Sequence, residues 1–257
     1  MLGVYLSGTG NTKHCVERLL TLTDGAANMV RAEASSAVDR IRAAYTVLLA
    51  YPTQFSNVPF MVRDFIRRHS GIWQNKRVFC MTTMGIFSGD GAGCAARELK
   101  KHRAEVIGGL HIRMPDAVCD CKMLKKTPGQ NLEIIRNADR RIDEAAADIK
   151  RGVYPQDGLS VISHVAGLLG QRLWFRSKTA GYSKALKVSS ACVGCGLCEK
   201  LCPVGNISVR DGRAVSAGRC AMCYRCISSC PHKALTLLGR EVVEQCRFEN
   251  YGYTPQT

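Results

Sequence analysis

From Cys192 the chain reads CVGCGLCEKLCP, and from Cys220 it reads CAMCYRCISSCP. Both runs follow the pattern C-x₂-C-x₂-C-x₃-C-P, a bacterial iron–sulfur motif in which the fourth cysteine of each run binds the other cluster of a two-cluster domain. The repeat therefore predicts two [4Fe–4S] clusters with crossed ligation. The predicted ligands are Cys192, Cys195, Cys198 and Cys230 for the first cluster, and Cys220, Cys223, Cys226 and Cys202 for the second.

A structural zinc site is the alternative interpretation of these cysteines. Zinc takes four ligands, usually as separated pairs, and so gives no reason for two complete runs of four. Residues 206–209 and 234–237 follow the two prolines at matching positions, which indicates an internal duplication. Residues 191–239 closely resemble a two-cluster bacterial ferredoxin. The resemblance implies a small α+β domain whose apolar residues pack around the clusters.

Six of the fourteen cysteines lie outside the two runs. Cysteines in a chain without an export signal favour metal or redox chemistry over disulfides. Cys119 and Cys121 form a C-x-C pair in a lysine-rich stretch, a setting that favours the reactive thiolate. The other interpretation of this pair is an exposed loop with free thiols, and we expect it to be the correct one. All six are then dispensable for electron transfer: Cys15, Cys80, Cys94, Cys119, Cys121 and Cys246.

Residues 1–150 alternate strand-like and helix-like segments. Apolar runs at residues 2–6, 44–50, 78–82 and 106–112 lack strict alternation, as is typical of parallel strands buried on both faces, and residues 27–32 make a fifth strand. Helical patterns lie at residues 12–22, 58–68, 91–102 and 132–149. Five strands with crossover helices predict a doubly wound α/β domain with a five-stranded parallel sheet.

A glycine-rich turn, Ser-Gly-Thr-Gly-Asn-Thr at residues 7–12, lies between the first strand and the first helix. Hydroxyl groups and backbone N–H groups at a helix N-terminus suit a terminal phosphate monoester. A dinucleotide fingerprint is excluded because Lys13 stands where its last glycine would be, and no G-K-[ST] follows to make a Walker loop. The alternative is an ordinary strand-to-helix turn capped by Thr12.

This S-x-T-G-N-T turn after a first strand resembles the FMN phosphate loop of flavodoxins, whose FMN lies at the switch point of a 2-1-3-4-5 sheet. The resemblance covers about residues 1–150 and implies that the loops after strands three and four hold the flavin ring. Tyr51, Phe55 or Phe87 is the aromatic candidate for stacking on it, and the family's usual tyrosine beyond Gly-Asp is missing. The residues implied at the phosphate are Ser7, Thr9, Gly10, Asn11 and Thr12, and those at the ring are Tyr51, Thr53, Gln54, Phe55, Ser56, Met84, Gly85, Phe87, Ser88, Gly89, Asp90 and Gly91.

The expected domain boundaries follow from these motifs. A flavodoxin-like FMN domain occupies residues 1–150, a basic connector residues 151–190, the ferredoxin domain residues 191–239 and a C-terminal tail residues 240–257. The connector carries an apolar helix around residues 162–175, which we expect to pack on one of the domains. The alternative is a membrane-surface helix with a basic face of Arg172, Arg176, Lys178, Lys184 and Lys187.

The composition indicates which kinds of partner the protein can be expected to bind. Its formal charge is +15, from 36 Lys and Arg against 21 Asp and Glu. This basic balance predicts a redox partner protein with an acidic docking surface, and the absence of a nucleic-acid motif argues against nucleic acid. The longest apolar stretch, residues 161–175, is too short and too polar to span a bilayer. No signal peptide is recognised, so we expect a cytoplasmic protein.

Flavodoxin-like and ferredoxin-like halves in one chain resemble the bacterial flavodoxin–ferredoxin fusion family. The resemblance implies electron transfer in an anaerobic cytoplasm. We predict a relay between FMN and two [4Fe–4S] clusters, to or from a partner oxidoreductase, without catalytic residues of its own. One alternative is a flavin-dependent reductase of a quinone, nitro compound or unsaturated substrate, fed through the clusters. Another is a redox sensor that acts by cluster loss. An electron carrier is favoured over an enzyme because residues 1–150 offer no dedicated acid–base pair.

Overall fold

The computed structural model describes residues 1–167, 169 and 179–254. Its first part is a five-stranded parallel sheet with the strand order β2-β1-β3-β4-β5. The strands are β1 (Leu2–Tyr5), β2 (Met29–Arg31), β3 (Thr46–Pro52), β4 (Arg77–Met84) and β5 (Glu105–Arg113). This strand order is that of flavodoxin-like doubly wound sheets, and it confirms the predicted fold class.

Helices cover both faces of the sheet: α1 (Asn11–Asp24), α2 (Ala37–Ala43), α3 (Phe60–Arg68), α4 (Gly91–Lys101) and α5 (Pro128–Lys150). α1 and α5 pack against each other in one apolar core, and the other three helices contribute to the core on the opposite face. The sequence pattern missed α2, because its seven residues bury only Ala37 and Ile41, too few to show a helical period. α5 begins before the predicted residue 132, because Thr127 and Gln130 form a capping box there.

The outer edge of β5 is covered by the chain that follows α5. Gly109 N–H donates to the Pro155 carbonyl at 2.8 Å, and Asp157 N–H donates to the Gly109 carbonyl at 2.8 Å. A side chain at Gly109 would meet the Asp157 carbonyl oxygen at 2.4 Å. Glycine at this position therefore lets the covering segment approach and pair with the strand edge, which protects the edge from pairing with another chain.

The connector continues into α6 (Val161–Gly167), which lies on the loop after β4. His164 Nδ1 is 2.8 Å from Asp90 Oδ2, and a side chain at Gly89 would meet the Gly167 Cα at 2.6 Å. The described part of the connector helix thus packs on the flavodoxin-like part. Its predicted continuation to residue 175, with Arg172, Arg176 and Lys178, lies outside the described residues. None of the described helices has the length and apolar content that crossing a bilayer requires.

The second part is a small α+β unit. Its elements are α7 (Thr179–Lys184), β6 (Lys187–Val188), α8 (Leu197–Leu201), β7 (Ile207–Arg210), β8 (Arg213–Ser216), α9 (Arg225–Ser229) and β9 (Leu235–Thr236). β6 pairs antiparallel with β9, and β7 pairs antiparallel with β8. Ile207, Ile227 and Leu235 form its core together with buried cysteines of both runs.

The internal duplication is visible in the backbone of this unit. Cys202 has φ −74° and ψ 112°, and Cys230, its equivalent in the second run, has φ −72° and ψ 114°. Left-handed residues recur in equivalent pairs: Gly194 and Met222, Gly196 and Tyr224, and Gly205 and Lys233. The first run makes these turns with glycine, and the second run makes the same turns with larger residues. Because such residues rarely have positive φ, the surrounding packing must impose these turns.

Buried polar contacts hold the two parts together. Arg225 Nη2 donates to Glu33 Oε1 at 2.6 Å and to the Ser7 carbonyl at 3.0 Å. Gln54 Nε2 donates to the Ala221 carbonyl at 2.9 Å. Because removing one partner of such a pair leaves a charge or a polar group buried alone, these contacts specify one docking arrangement.

The loop after β5 and the C-terminal segment complete this interface. The buried carboxylate of Asp120 accepts N–H bonds from Leu237, Leu238 and Gly239, at 2.6, 2.9 and 3.1 Å. In the C-terminal segment, Phe248 N–H donates to the Thr9 carbonyl at 2.7 Å. The turn at residues 7–12 is therefore contacted both by the cysteine-rich unit and by the end of the chain.

Candidate functional site

A cavity of about 320 Å³ lies at the carboxyl ends of β1, β3, β4 and β5. This is the edge at which doubly wound sheets bind their ligands, and the volume is in the range of small-molecule sites. The lining comes from the loops that follow these four strands and from two segments of the cysteine-rich unit. The cavity is therefore built by both parts of the chain.

The glycine-rich turn supplies one end of the cavity lining. Ser7, Thr9, Asn11 and Thr12 line it, as the sequence predicted. Gly10, the N-cap residue of α1, provides no side-chain cap, so the first-turn N–H groups of the helix remain available for an anion. The Oδ1 atom of Asn11 is buried and has no hydrogen-bond partner among the described residues. The N–H groups of the first turn suit the phosphate of FMN. The Asn11 Oδ1 atom beside them suits a hydroxyl group of its ribityl chain.

The loops after β3 and β4 supply the ring end. Six of the predicted residues line the cavity there: Thr53, Gln54, Phe55, Met84, Gly85 and Phe87. Phe55 also stacks on Tyr182, with ring centroids 5.8 Å apart, whereas Phe87 is 42% exposed. Tyr51 is fully buried in the sheet core, and its hydroxyl donates to the Gly91 carbonyl at 2.7 Å. Of the three aromatic candidates, the two phenylalanines are thus the ones that lie at the cavity.

Seven of the predicted FMN residues are placed away from the cavity lining. Asp90 is fully buried and contacts Arg97 at 2.6 Å and His164 at 2.8 Å, so its charge is offset within the protein. Gly10 lies under Phe248. The predicted segments reach the cavity, but their place in the sequence does not tell which of their residues line it. The seven are Gly10, Tyr51, Ser56, Ser88, Gly89, Asp90 and Gly91.

The loop after β5 lines the cavity as well, and sequence reasoning missed it. Asp116 lies here, and a side chain at Gly85 would meet its Oδ2 atom at 2.3 Å. Burial raises the pKa of the Asp116 carboxyl, against smaller lowering effects of the Val118 N–H and Lys125. The signal that would have found this loop is its position at the carboxyl end of a parallel strand, which shares one sheet edge with the other binding loops.

The eight motif cysteines line two further cavities in two separate groups. One cavity is lined by Cys192, Cys195, Cys198 and Cys230. The other is lined by Cys202, Cys220, Cys223 and Cys226. Each cavity thus receives three cysteines from one run and the fourth from the other. This is the grouping that the crossed spacing predicted.

Backbone N–H groups point at the cysteine sulfurs. Asn206 N–H donates to Cys202 Sγ at 3.1 Å, and Ala234 N–H makes the equivalent bond to Cys230 Sγ at 3.4 Å. Such bonds favour thiolate over thiol, and the bond from Ala214 N–H lowers the pKa of Cys192. In the described ranges no three His, Cys, Asp or Glu side chains converge closely enough to hold one metal ion. Four cysteines around each cavity match the four thiolate ligands of a [4Fe–4S] cluster.

The second cysteine cavity adjoins the large one. Cys223 and Tyr224 line both, as does Leu237. A side chain at Gly8 would meet the Cys223 carbonyl oxygen at 1.7 Å, so the glycine-rich turn is in direct backbone contact with the second cysteine run. No sequence pattern predicts this contact, because it depends on how the two parts dock.

The C-x-C pair differs from expectation. The predicted exposed loop is wrong for Cys119, which is fully buried, with its Sγ atom 2.8 Å from Ser228 Oγ. Its thiol hydrogen-bonds with Cys246 of the C-terminal segment, and that contact lowers the pKa of Cys119. Lys125 Nζ donates to Cys246 Sγ at 2.8 Å. The thiol neighbour of Cys119 is therefore distant in sequence.

Residues 179–235 match the family model of the 4Fe-4S dicluster domain. A component of the ion-translocating oxidoreductase complex of Methanosarcina acetivorans is 36% identical over 63 residues, which are 24% of this chain and 24% of that protein. The chain thus spans about a quarter of the length of this curated relative. The region carrying the cysteine runs is a two-cluster 4Fe–4S domain.

Among solved structures, a flavodoxin from the domain Archaea aligns with a TM-score of 0.42 and 14% identity over 58% of this chain and 97% of its own. Megasphaera elsdenii flavodoxin in its two-electron reduced form aligns with a TM-score of 0.40 and 24% identity over 58% and 99%. Fusobacterium nucleatum flavodoxin bound to flavin mononucleotide aligns with a TM-score of 0.40 and 14% identity over 59% of this chain and 98% of its own.

Proposed function

We propose that this protein transfers electrons between FMN and two [4Fe–4S] clusters. The proposal starts from the two parts of the chain, a flavodoxin-like fold and a two-cluster 4Fe–4S domain. The supporting observation is the shared wall of two cavities. Cys223, a predicted ligand of the second cluster, lines the large cavity as well as its own. An FMN in the large cavity would lie beside a sulfur ligand of that cluster.

The proposed FMN residues are those predicted residues that line the cavity, together with Asp116. Ser7, Thr9, Asn11 and Thr12 would hold the phosphate and ribityl chain, and the loops after β3 and β4 the ring. FMN supplies a group that takes up two electrons together and releases them singly, whereas each cluster carries one. Both sites lie in one chain and share contacts, which replaces an encounter between separate carriers by an intramolecular step.

A partner oxidoreductase would complete the relay. The relative with the similar cluster segment belongs to an ion-translocating oxidoreductase complex, which supports a redox protein as donor or acceptor. The formal charge of +15 supports a partner with an acidic docking surface. We propose that the protein works in the cytoplasm of an anaerobic cell, where low-potential clusters persist.

Flash photoreduction of the flavin in fully loaded, anaerobic protein tests the relay. We expect flavin reoxidation and cluster reduction to share one rate constant that does not depend on protein concentration. Cys202→Ser should abolish this phase while FMN stays bound, because it removes a proposed ligand of the second cluster. Cys195→Ser, the matched variant of the first cluster, should preserve it. A rate that rises with protein concentration would contradict the intramolecular relay.

A second candidate function is reduction of a small molecule at the flavin. Asp116 favours it, because a cavity carboxyl whose pKa is raised by burial can donate a proton to a substrate. The two functions separate in one assay, in which photoreduced protein is mixed with a quinone or a nitroaromatic compound. Rapid turnover that Asp116→Asn abolishes would support the reductase. Slow reoxidation, unchanged in the variant, would support the carrier.

A further inference from the structure

The first cysteine set faces solvent, whereas the second faces the large cavity. All eight ligand cysteines are described, and among them Cys195 is the exposed one. Beside it, Val193 is 59% exposed and Leu197 is 36% exposed. Cys220 and Cys226 of the second set are each 8% exposed, as is Cys198 of the first, and Cys223 borders the large cavity. Along a path through the cysteine-rich unit, from the exposed Cys195 to the large cavity, the first cluster would therefore come before the second.

Five exposed cations lie next to residues that line the first cavity, in sequence or by strand pairing, and we call them the basic collar: Lys187, Lys200, Arg210, Arg213 and Lys233. Each lies within one or two residues of the first cavity's lining, or on a strand paired with it. The loop that bears Cys195 also packs on the hairpin between β7 and β8, because a side chain at Gly194 would meet the Gly212 carbonyl oxygen at 2.3 Å. Exposed acidic residues are fewer in these segments, namely Glu199 and Asp211.

The charges of the basic collar are available to a partner. Some other cations are paired with a carboxylate within the protein, as Arg18 is with Asp143 and Arg225 with Glu33. No collar residue forms an ion pair with any group in the described part of the chain. An exposed apolar centre with an unpaired cationic rim is the usual anatomy of a surface that an acidic protein recognises.

We propose that this face is the port through which an acidic one-electron carrier protein exchanges electrons with the first cluster. The inference rests on the proposed function and adds the order carrier, first cluster, second cluster, FMN. In each exchange the donor's redox centre loses one electron and the acceptor's gains it, and no bond forms or breaks. The collar steers the carrier, and the apolar centre lets the two redox centres approach.

Stopped-flow mixing of the reduced holoprotein with oxidised rubredoxin, a small acidic one-iron carrier, tests the port. The collar variant is Lys200→Glu, Arg213→Glu and Lys233→Glu. The matched control makes the same charge change on exposed helical residues of the flavodoxin-like part, Lys100→Glu, Arg140→Glu and Lys150→Glu. Because steering changes association rates by about tenfold or more, we expect the collar variant to react at least tenfold more slowly at low salt. We also expect it to lose most of the salt dependence, and the control variant to retain both rate and salt dependence.

Two further measurements distinguish the possible failures. Flavin-to-cluster transfer after flash photoreduction should be equal in all three proteins; its absence in the unmutated protein would refute the proposed function, not the port. The potential of the first cluster is measured in both variants, because Arg213 interacts electrostatically with the predicted ligand Cys192. Equal slowing in both variants, or a potential shift that accounts for the slower rate, would overturn the port. Collar-dependent binding to phosphatidylserine vesicles, without slower reaction with rubredoxin, would assign the surface to a membrane and overturn it too.

Discussion

At the scale of single residues, the glycine-rich turn shows how a short polar sequence becomes a binding surface. Thr12 is buried at the first turn of α1, with its Oγ1 atom 2.8 Å from Thr83 Oγ1 at the end of β4. Either hydroxyl can donate in this pair, and when Thr83 donates, Thr12 keeps its own hydrogen for another acceptor. In the proposed complex that acceptor is a phosphate oxygen, which makes the bond charge-assisted.

Replacing Thr12 by Ala should weaken FMN much more than riboflavin. A hydrogen bond to a charged group contributes about 1.5–3 kcal/mol, so we expect FMN affinity to fall by about one to two decades. The control is Thr21→Ala on the exposed side of the same helix, where the hydroxyl donates to the Glu17 carbonyl. Fluorescence titration of the apoprotein measures both flavins. Equal losses for FMN and riboflavin would show that Thr12 does not read the phosphate.

At the scale of the elements, α5 illustrates how local chemistry sets a boundary. Thr127 accepts from Gln130 N–H at 3.3 Å, and Gln130 Oε1 accepts from Thr127 N–H at 3.0 Å. Pro128 follows at the first helical position, where its missing N–H has no cost. The helix start is therefore fixed by three neighbouring residues, and the buried face of α5 then packs on α1 and the sheet.

Thr127→Ala should destabilise the flavodoxin-like part by about 1 kcal/mol, because it removes the cap of the longest described helix. For a chain of this size that corresponds to a fall of about 2–4 °C in the unfolding temperature. Ser36→Ala is the matched control, since Ser36 precedes α2 without making a side-chain cap bond. Anaerobic thermal unfolding followed by circular dichroism compares the two. A fall of the same size in both variants would mean that the capping box of α5 contributes nothing specific.

At the scale of the whole molecule, the interface is built from backbone contact and buried polar bonds. Gly8 touches the backbone of the second cysteine run, and Gly239 is equally close to the backbone of Asp120. Because the two parts approach each other this closely, the large cavity and the second cysteine cavity share lining residues. The same docking leaves the first cysteine set as the exposed end.

Gly8→Ala should separate the two parts, because the added Cβ would meet the Cys223 carbonyl oxygen at 1.7 Å. Backbone atoms cannot yield locally at that distance, so the domains must shift. We expect the flash-photolysis rate of flavin-to-cluster transfer to fall at least tenfold, with iron content unchanged. Gly71→Ala, at a site with nothing within 4 Å of the added atom, is the control. An unaltered rate in Gly8→Ala would remove the shared wall from the electron path.

The sequence alone determined those features that depend on short-range spacing. The ligand cysteines follow from local turns, so a 28-residue offset between two identical patterns sufficed to group them. The buried parallel strands and most helices followed from apolar runs and periodicity. The sequence pattern missed α2 because that helix buries too few residues. Tyr51 lies outside the cavity lining because it belongs to β3 and is buried in the sheet, and Asp90 because it pairs with Arg97 and His164.

Only the tertiary structure decided how the two parts meet. The shared wall at Cys223, the carboxylate of Asp116 in the cavity, and the pairing of Cys119 with Cys246 each join segments far apart in the chain. Such contacts depend on the docking of two separately folded cores, which involves long-range packing and buried hydrogen bonds. The sequence pattern of one segment does not show which distant segment it will contact. The proposed electron path could therefore be located only in the folded molecule.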